Sequence, residues 1–160
     1  MLHVMYGCGL RVSEASALNI ADISLTAGVL AVQAGKGNVH RLVPLNTLIQ
    51  HDFNQYITYY RKAQITEKAF LLNANNQRLS PMCARLLLKR IASRCNIAVS
   101  PHQLRHSIAT HLLANGLNVL YVKAFLGHKS LSSTQIYTHV SNAQLADIGA
   151  FHHQLIKIDN

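Results

Sequence analysis

Three residues of one hexapeptide, Pro101-His102-Gln103-Leu104-Arg105-His106, are spaced so that they can act together. His102, Arg105 and His106 stand at i, i+3 and i+4, and a helix puts such positions on one face within about a turn of each other. One guanidinium and two imidazoles on one face make a place for an anion. Downstream, His128 follows Gly127, a glycine that suits a helix end, and Tyr137 lies further along the chain. The set reads as a site that holds a phosphate and presents a phenol to it. Arg11 stands at the start of a short helical segment, where the helix dipole disfavours a cation. It is either a solvated surface arginine or one held there to meet an anion.

Other chemistries fit these residues poorly. His102 and His106 have the spacing of a zinc-protease helix, but no glutamate lies between them and no further ligand follows at a suitable distance. Arg105, between the two, would repel a dication. No metal is therefore expected, despite ten histidines. A Gly-x-Ser-x-Gly nucleophile elbow is absent, which argues against a serine hydrolase. Gly35-Lys36-Gly37 lacks the spacing of a Walker phosphate loop and reads as a turn with Lys36 near its tip.

The elements that must position these residues can be followed along the chain. Leu2 to Tyr6 reads as a last helical turn, broken by Gly7-Cys8-Gly9. Arg11 to Leu18 reads as a helix with Leu10, Ala15 and Leu18 inward. Val29–Val32 and Val39–Val43 are β-rich runs that form an antiparallel hairpin around the Lys36 turn. Leu48 to Tyr60 is periodic as a helix, with its tyrosines as core and rim residues, and Phe70 to Leu72 as an extended piece. Ser80-Pro81 opens a helix whose apolar repeat is Met82, Leu86, Leu87, Ile91, Ala92 and Cys95. Arg85, Lys89, Arg90 and Arg94 occupy its other faces, as a solvated surface or a phosphate-tracking one. Ser100-Pro101 opens the organising helix, His102 to Asn115, and Asn118 caps the next, Val119 to Leu126. A helix from Ser130 to His139 carries Tyr137, and Asn142 to Leu155 is a last apolar-periodic segment. The expected fold is α+β and mainly helical, with a small antiparallel sheet in the N-terminal third. Residues 1–160 are expected to form one domain.

Bulk properties agree with that picture. At 160 residues, nearly half of them hydrophobic, the chain can bury a core. A net charge of +9 with only six acidic residues favours a polyanionic partner, DNA or RNA first. No apolar run is long enough to span a bilayer, and no signal-peptide pattern opens the chain, so a cytoplasmic protein is expected. Cys8, Cys83 and Cys95 form no Cys-x-x-Cys pair and are expected as reduced, mostly buried thiols.

Taken in order, Tyr6-Gly7-Cys8-Gly9-Leu10-Arg11-Val12-Ser13-Glu14, Gly35-Lys36-Gly37-Asn38 through Arg41-Leu42-Val43-Pro44-Leu45, Pro101 to Leu113, Leu126-Gly127-His128 and Ser133 to Val140 form a pattern. The chain resembles the catalytic domain of the tyrosine recombinases, the phage integrase and Xer group, to about Val140. That resemblance implies Tyr137 as a nucleophile that attacks a phosphate of double-stranded DNA, leaving a 3′-phosphotyrosyl link and a free 5′-hydroxyl. It implies Arg11 and Arg105 on the non-bridging oxygens, His128 as a further hydrogen-bond donor and His102 as an aid to proton transfer at the tyrosine. Lys36 would protonate the leaving 5′-oxygen. Glu14 would orient the site, and His106 would be a helix-packing or supporting residue.

No metal is implied, because two arginines and a lysine supply the positive charge, and no nucleotide cofactor, because the covalent link conserves the phosphodiester energy. The resemblance also implies a homo- or hetero-tetramer on DNA, assembled through the C-terminal segment. Relatives carry a helical core-binding domain ahead of the catalytic one, and this chain is expected to lack it. Two other readings are a truncated DNA- or partner-binding remnant without turnover, and a type IB topoisomerase-like enzyme with the same phosphotyrosine chemistry.

Overall fold

The computed structural model describes residues 1–33, 39–61 and 67–127. The Lys36 turn, the helix expected over Ser130 to His139 and the Asn142 to Leu155 segment lie outside the described residues.

The chain opens with a wide helical turn, His3–Gly7, closed by the Cys8 amide donating to the His3 carbonyl at 2.7 Å. Val4 and Met5 on this turn are fully buried. A short helix α1 (Val12–Ala17) follows, then three strands, β1 (Ile23–Ser24), β2 (Val29–Gln33) and β3 (Val39–Pro44). Four helices complete the described fold: α2 (Thr47–Gln55), α3 (Pro81–Arg94), α4 (Pro101–Ala114) and α5 (Val119–Leu126). The mainly helical α+β reading therefore holds.

The sheet has the order β1-β2-β3 and is antiparallel throughout. The hairpin expected around the Lys36 turn is β2–β3, with Leu30 opposite Val43 and Val32 opposite Arg41. All four of these residues are buried, so they form the inner face of the pair. The third strand, β1, was not expected, because two residues carry no readable alternation.

Local chemistry sets the helix starts. Ser80 accepts the Cys83 amide at 3.2 Å and Pro81 takes the first helical position of α3. Ser100 and Gln103 exchange hydrogen bonds as a capping box at the start of α4, at 3.2 and 2.7 Å. Asn118 accepts the Leu120 amide at 2.9 Å, and Gly127 ends α5 in the left-handed region at φ 66°.

With only six residues, α1 cannot hold itself and depends on tertiary contacts. Arg78 supplies them at its C-terminal end, donating to the carbonyls of Ser16 and Ala17 at 2.9 and 3.0 Å. Ser16 in turn donates to the Leu79 carbonyl at 2.6 Å. Leu10, Leu30, Val43, Ile49, Phe70, Leu88, Ile108, Leu112 and Phe125 fill the core, so every layer contributes to one interior. At one side of it, the Tyr6 hydroxyl is hydrogen-bonded to His111 Nδ1 at 2.6 Å, tying the first turn to α4.

Three expectations are corrected. On α3 the buried stripe is Ala84, Leu88 and Ala92: of the expected apolar repeat only Ala92 is buried, and Met82, Leu86 and Leu87 are exposed. The helix packs on α1 through a narrow stripe one step round from the one its bulkiest side chains suggest. Cys95 leaves the core with that shift, and Cys83 is exposed too, so only Cys8 is buried. The helix expected from Leu48 to Tyr60 changes winding at Tyr56, and the wider turn Tyr56–Tyr60 leaves Tyr59 and Tyr60 in solvent. Tyr56 keeps a structural role, accepting the Leu72 amide at 3.3 Å and meeting the Phe70 ring edge-on.

Candidate active site

Arg105 sits one turn into α4, with its side chain turned inward. Its two terminal nitrogens donate to the carbonyls of Gly9 and Leu126, which fixes the plane of the guanidinium. One carbonyl precedes α1 and the other ends α5. Three segments far apart in sequence are thus held by one side chain.

Gly9 can offer its carbonyl there because it has no side chain. Its φ is +61°, and a Cβ would stand 2.7 Å from Phe125 and 2.9 Å from Leu126.

Arg11 caps the start of α1 beside this point. Its backbone amide donates to Glu14 Oε2 at 2.7 Å and its Nη1 to Glu14 Oε1 at 2.8 Å. Glu14 thus supplies the negative charge that a helix start favours and offsets the cation. The Arg11 Nη2 reaches the Gly127 carbonyl at 3.4 Å. Arg11 and Arg105 therefore meet consecutive carbonyls at the end of α5, one from the rim and one from the interior.

A third guanidinium completes the cluster. Arg41 on β3 is completely buried and grips Glu14 by both oxygens, at 3.1 and 2.9 Å. Arg105 Nη1 lies 3.9 Å from Glu14 Oε2, close enough for ionic attraction but beyond a hydrogen bond. Burial of Glu14 alone would raise its pKa, but the hydrogen bond and charge of Arg41 and the hydrogen bonds of Arg11 prevail and hold it down at about 2. Burial, and next the positive charge of Arg11, push the Arg105 guanidinium down to about 10, with Glu14 opposing. Arg105 stays protonated at neutral pH. Three guanidinium groups around one carboxylate leave two net positive charges in a partly desolvated place, and an anion is their natural complement.

His102 is exposed in the first turn of α4, on the same helix as Arg105. His106 is also exposed, so the expected packing role is corrected: the adjacent Arg105 takes the inward position. Among the described residues no three His, Cys, Asp or Glu side chains gather as a metal site would need. Lys36, His128 and Tyr137 lie outside the described residues. Arg41 is the site-side residue that sequence reasoning passed over. Its signal was present: it stands two residues before the buried Val43 on one strand, so alternation places a charge on the apolar face.

Comparison with known proteins shows the family. The model of the phage integrase family matches residues 1–144. The tyrosine recombinase XerD of Proteus mirabilis is 43% identical over 159 residues, covering 96% of this chain and 50% of that protein. The crystal structure of XerA recombinase superposes with a TM-score of 0.74 at 27% identity, covering 94% of this chain and 54% of that one. A XerH site-specific recombinase bound to its palindromic difH substrate, in a post-cleavage complex, shares the fold with a TM-score of 0.69 at 22% identity, over 93% of this chain and 44% of that one. The chain spans about half the length of the curated relatives it matches. With the family model matched over nine-tenths of its residues, this chain belongs to the phage integrase family, the tyrosine recombinases.

Proposed function

We propose that residues 1–160 form a tyrosine recombinase catalytic domain that cuts and rejoins double-stranded DNA through a 3′-phosphotyrosyl intermediate. The observation that carries this reading is the cradle itself. Arg11 and Arg105 come from opposite ends of the described chain and converge on the carbonyls of Leu126 and Gly127. Two of the five N–H donors of Arg105 are committed to carbonyls, which leaves an oriented, charged fork for a phosphate.

In this reading the arginine pair takes the non-bridging oxygens of the scissile phosphate and neutralises the charge that builds in the transition state. Tyr137 attacks the phosphorus. A phenol ordinarily titrates at about 10, so it needs this positive surrounding and a proton acceptor nearby. His102 assists that proton transfer, His128 adds a hydrogen bond to the phosphoryl group, and Lys36 gives its proton to the departing 5′-oxygen. Phosphotyrosine and 5′-hydroxyl then exchange partners between strands and the reaction runs backwards to reseal them.

DNA as the partner is supported by the +9 charge and by the DNA-bound XerH relative. No helix among the described residues is long and apolar enough to cross a membrane. A tetramer on DNA joined through the C-terminal segment, and a place in the cytoplasm, belong to the same proposal.

Binding and chemistry separate the roles. Anisotropy with labelled duplex DNA is expected to show weaker, less salt-dependent binding for Arg105→Ala, because a phosphate contact is lost. Tyr137→Phe is expected to bind like the unaltered chain. Equal loss of binding in both variants contradicts the roles assigned.

A further inference from the structure

We propose that Arg41 is a positioning residue of the anion cradle: it shares the charge of Glu14 with Arg11, so that Arg105 is left clear of the carboxylate and keeps its fork for the phosphate. The inference rests on the recombinase reading of the site and extends it to a residue inside the fold. Arg41 touches no reacting atom. It acts through Glu14.

The distances show how the work is divided. Glu14 receives Arg11 on one side and Arg41 on both oxygens, all within 3.1 Å. Its need for donors is met, and Arg105 is left at 3.9 Å with its nitrogens on the Gly9 and Leu126 carbonyls. Remove Arg41, and the carboxylate loses both donors on its inner edge. The nearest cation with spare donors is then Arg105. Turning toward Glu14 would break its carbonyl contacts and rotate the fork away from a ligand. The net charge of the cluster would also fall from two to one.

The fold keeps Arg41 in a costly position. It faces inward on β3, opposite Val32, with its side chain fully buried and its Nε without a partner among the described residues. A guanidinium placed there only to hold sheet and helix together could be replaced by an apolar side chain with little loss.

The test uses the full chain, labelled with ¹⁵N, and inorganic phosphate as the probe. Arginine Nε–H signals of Arg11 and Arg105, assigned with Arg11→Lys and Arg105→Lys, are followed during titration. The unaltered chain is expected to shift both signals. Loss of one net charge next to the site in Arg41→Met is expected to weaken phosphate binding roughly tenfold. Adding Glu14→Gln to Arg41→Met restores the charge balance and is expected to bring affinity back to within about threefold of the starting value. Arg41→Lys keeps the charge but not the paired contacts, is expected to lose clearly less than tenfold, and carries the test should Arg41→Met not fold.

Unchanged binding in folded Arg41→Met overturns the proposal. So does a double variant as weak as Arg41→Met, which would make Arg41 a structural staple, and so does a tenfold loss in folded Arg41→Lys. No response of Arg11 and Arg105 to phosphate in the unaltered chain overturns the cradle itself, a distinct failure.

Discussion

Replacing Glu14 by glutamine removes one negative charge from among three guanidinium groups and leaves the side chain's shape intact. The folded protein holds this carboxyl at about 2, against an ordinary 4.5. At about 1.4 kcal/mol per pH unit, that gap is worth about 3 kcal/mol of folding stability. Because the folded value is the lower one, the stabilisation is complete above about pH 4.5 and is lost as the pH falls toward 2. Loss of one partner from a buried ion pair gives a similar figure, about 3 to 5 kcal/mol.

Urea unfolding of Glu14→Gln and the unaltered chain, run side by side, should therefore differ by about 3 kcal/mol at pH 7. By pH 3 the difference should shrink to less than half of that, since only about one pH unit then separates the solution from the folded value. A difference below about 1 kcal/mol at pH 7, or one that stays flat down to pH 3, refutes the reasoning. The first would mean that Glu14 is not held by its arginines, the second that its cost is not electrostatic.

Other expectations follow from the same geometry. Gly9→Ala should cost about 1–3 kcal/mol in urea unfolding, because a Cβ would meet Phe125 and Leu126 at under 3 Å from a left-handed backbone. It should also weaken phosphate binding by displacing a carbonyl that orients Arg105, and a variant as stable and as competent as the original would contradict that. Maleimide should label Cys83 and Cys95 in the folded chain and spare Cys8, which is buried with its thiol pushed up to about 12; labelling counted by mass spectrometry before and after denaturant checks this.

Much of the fold could be read where local chemistry decides it. Ser80-Pro81, Ser100-Pro101, Asn118 and Gly127 mark helix ends in the sequence and mark them in the structure, because a cap needs only its own few residues. The face of α3 could not be read so. Periodicity offers several stripes, and the neighbour that chooses one is α1, far away in sequence. Cys95 was misplaced for the same reason.

For the site, Arg105 was legible as a candidate anion ligand from type and spacing and Arg11 only as one of two readings, and their convergence was not legible, because it depends on the carbonyls of Gly9, Leu126 and Gly127. Carbonyls leave no trace in a sequence. Arg41 left one, in the alternation of β3. The roles of Lys36, His128 and Tyr137 rest on likeness to the family and on the chemistry that a phosphate transfer requires.

The most direct measurement is covalent capture. The purified chain is mixed with nicked duplexes of randomised sequence, denatured in detergent and run on a gel, with Tyr137→Phe beside it. The account predicts a DNA-shifted protein band that is absent from Tyr137→Phe and lost in Arg105→Ala. A band that persists in Tyr137→Phe would contradict the account, because another residue would then carry the phosphate.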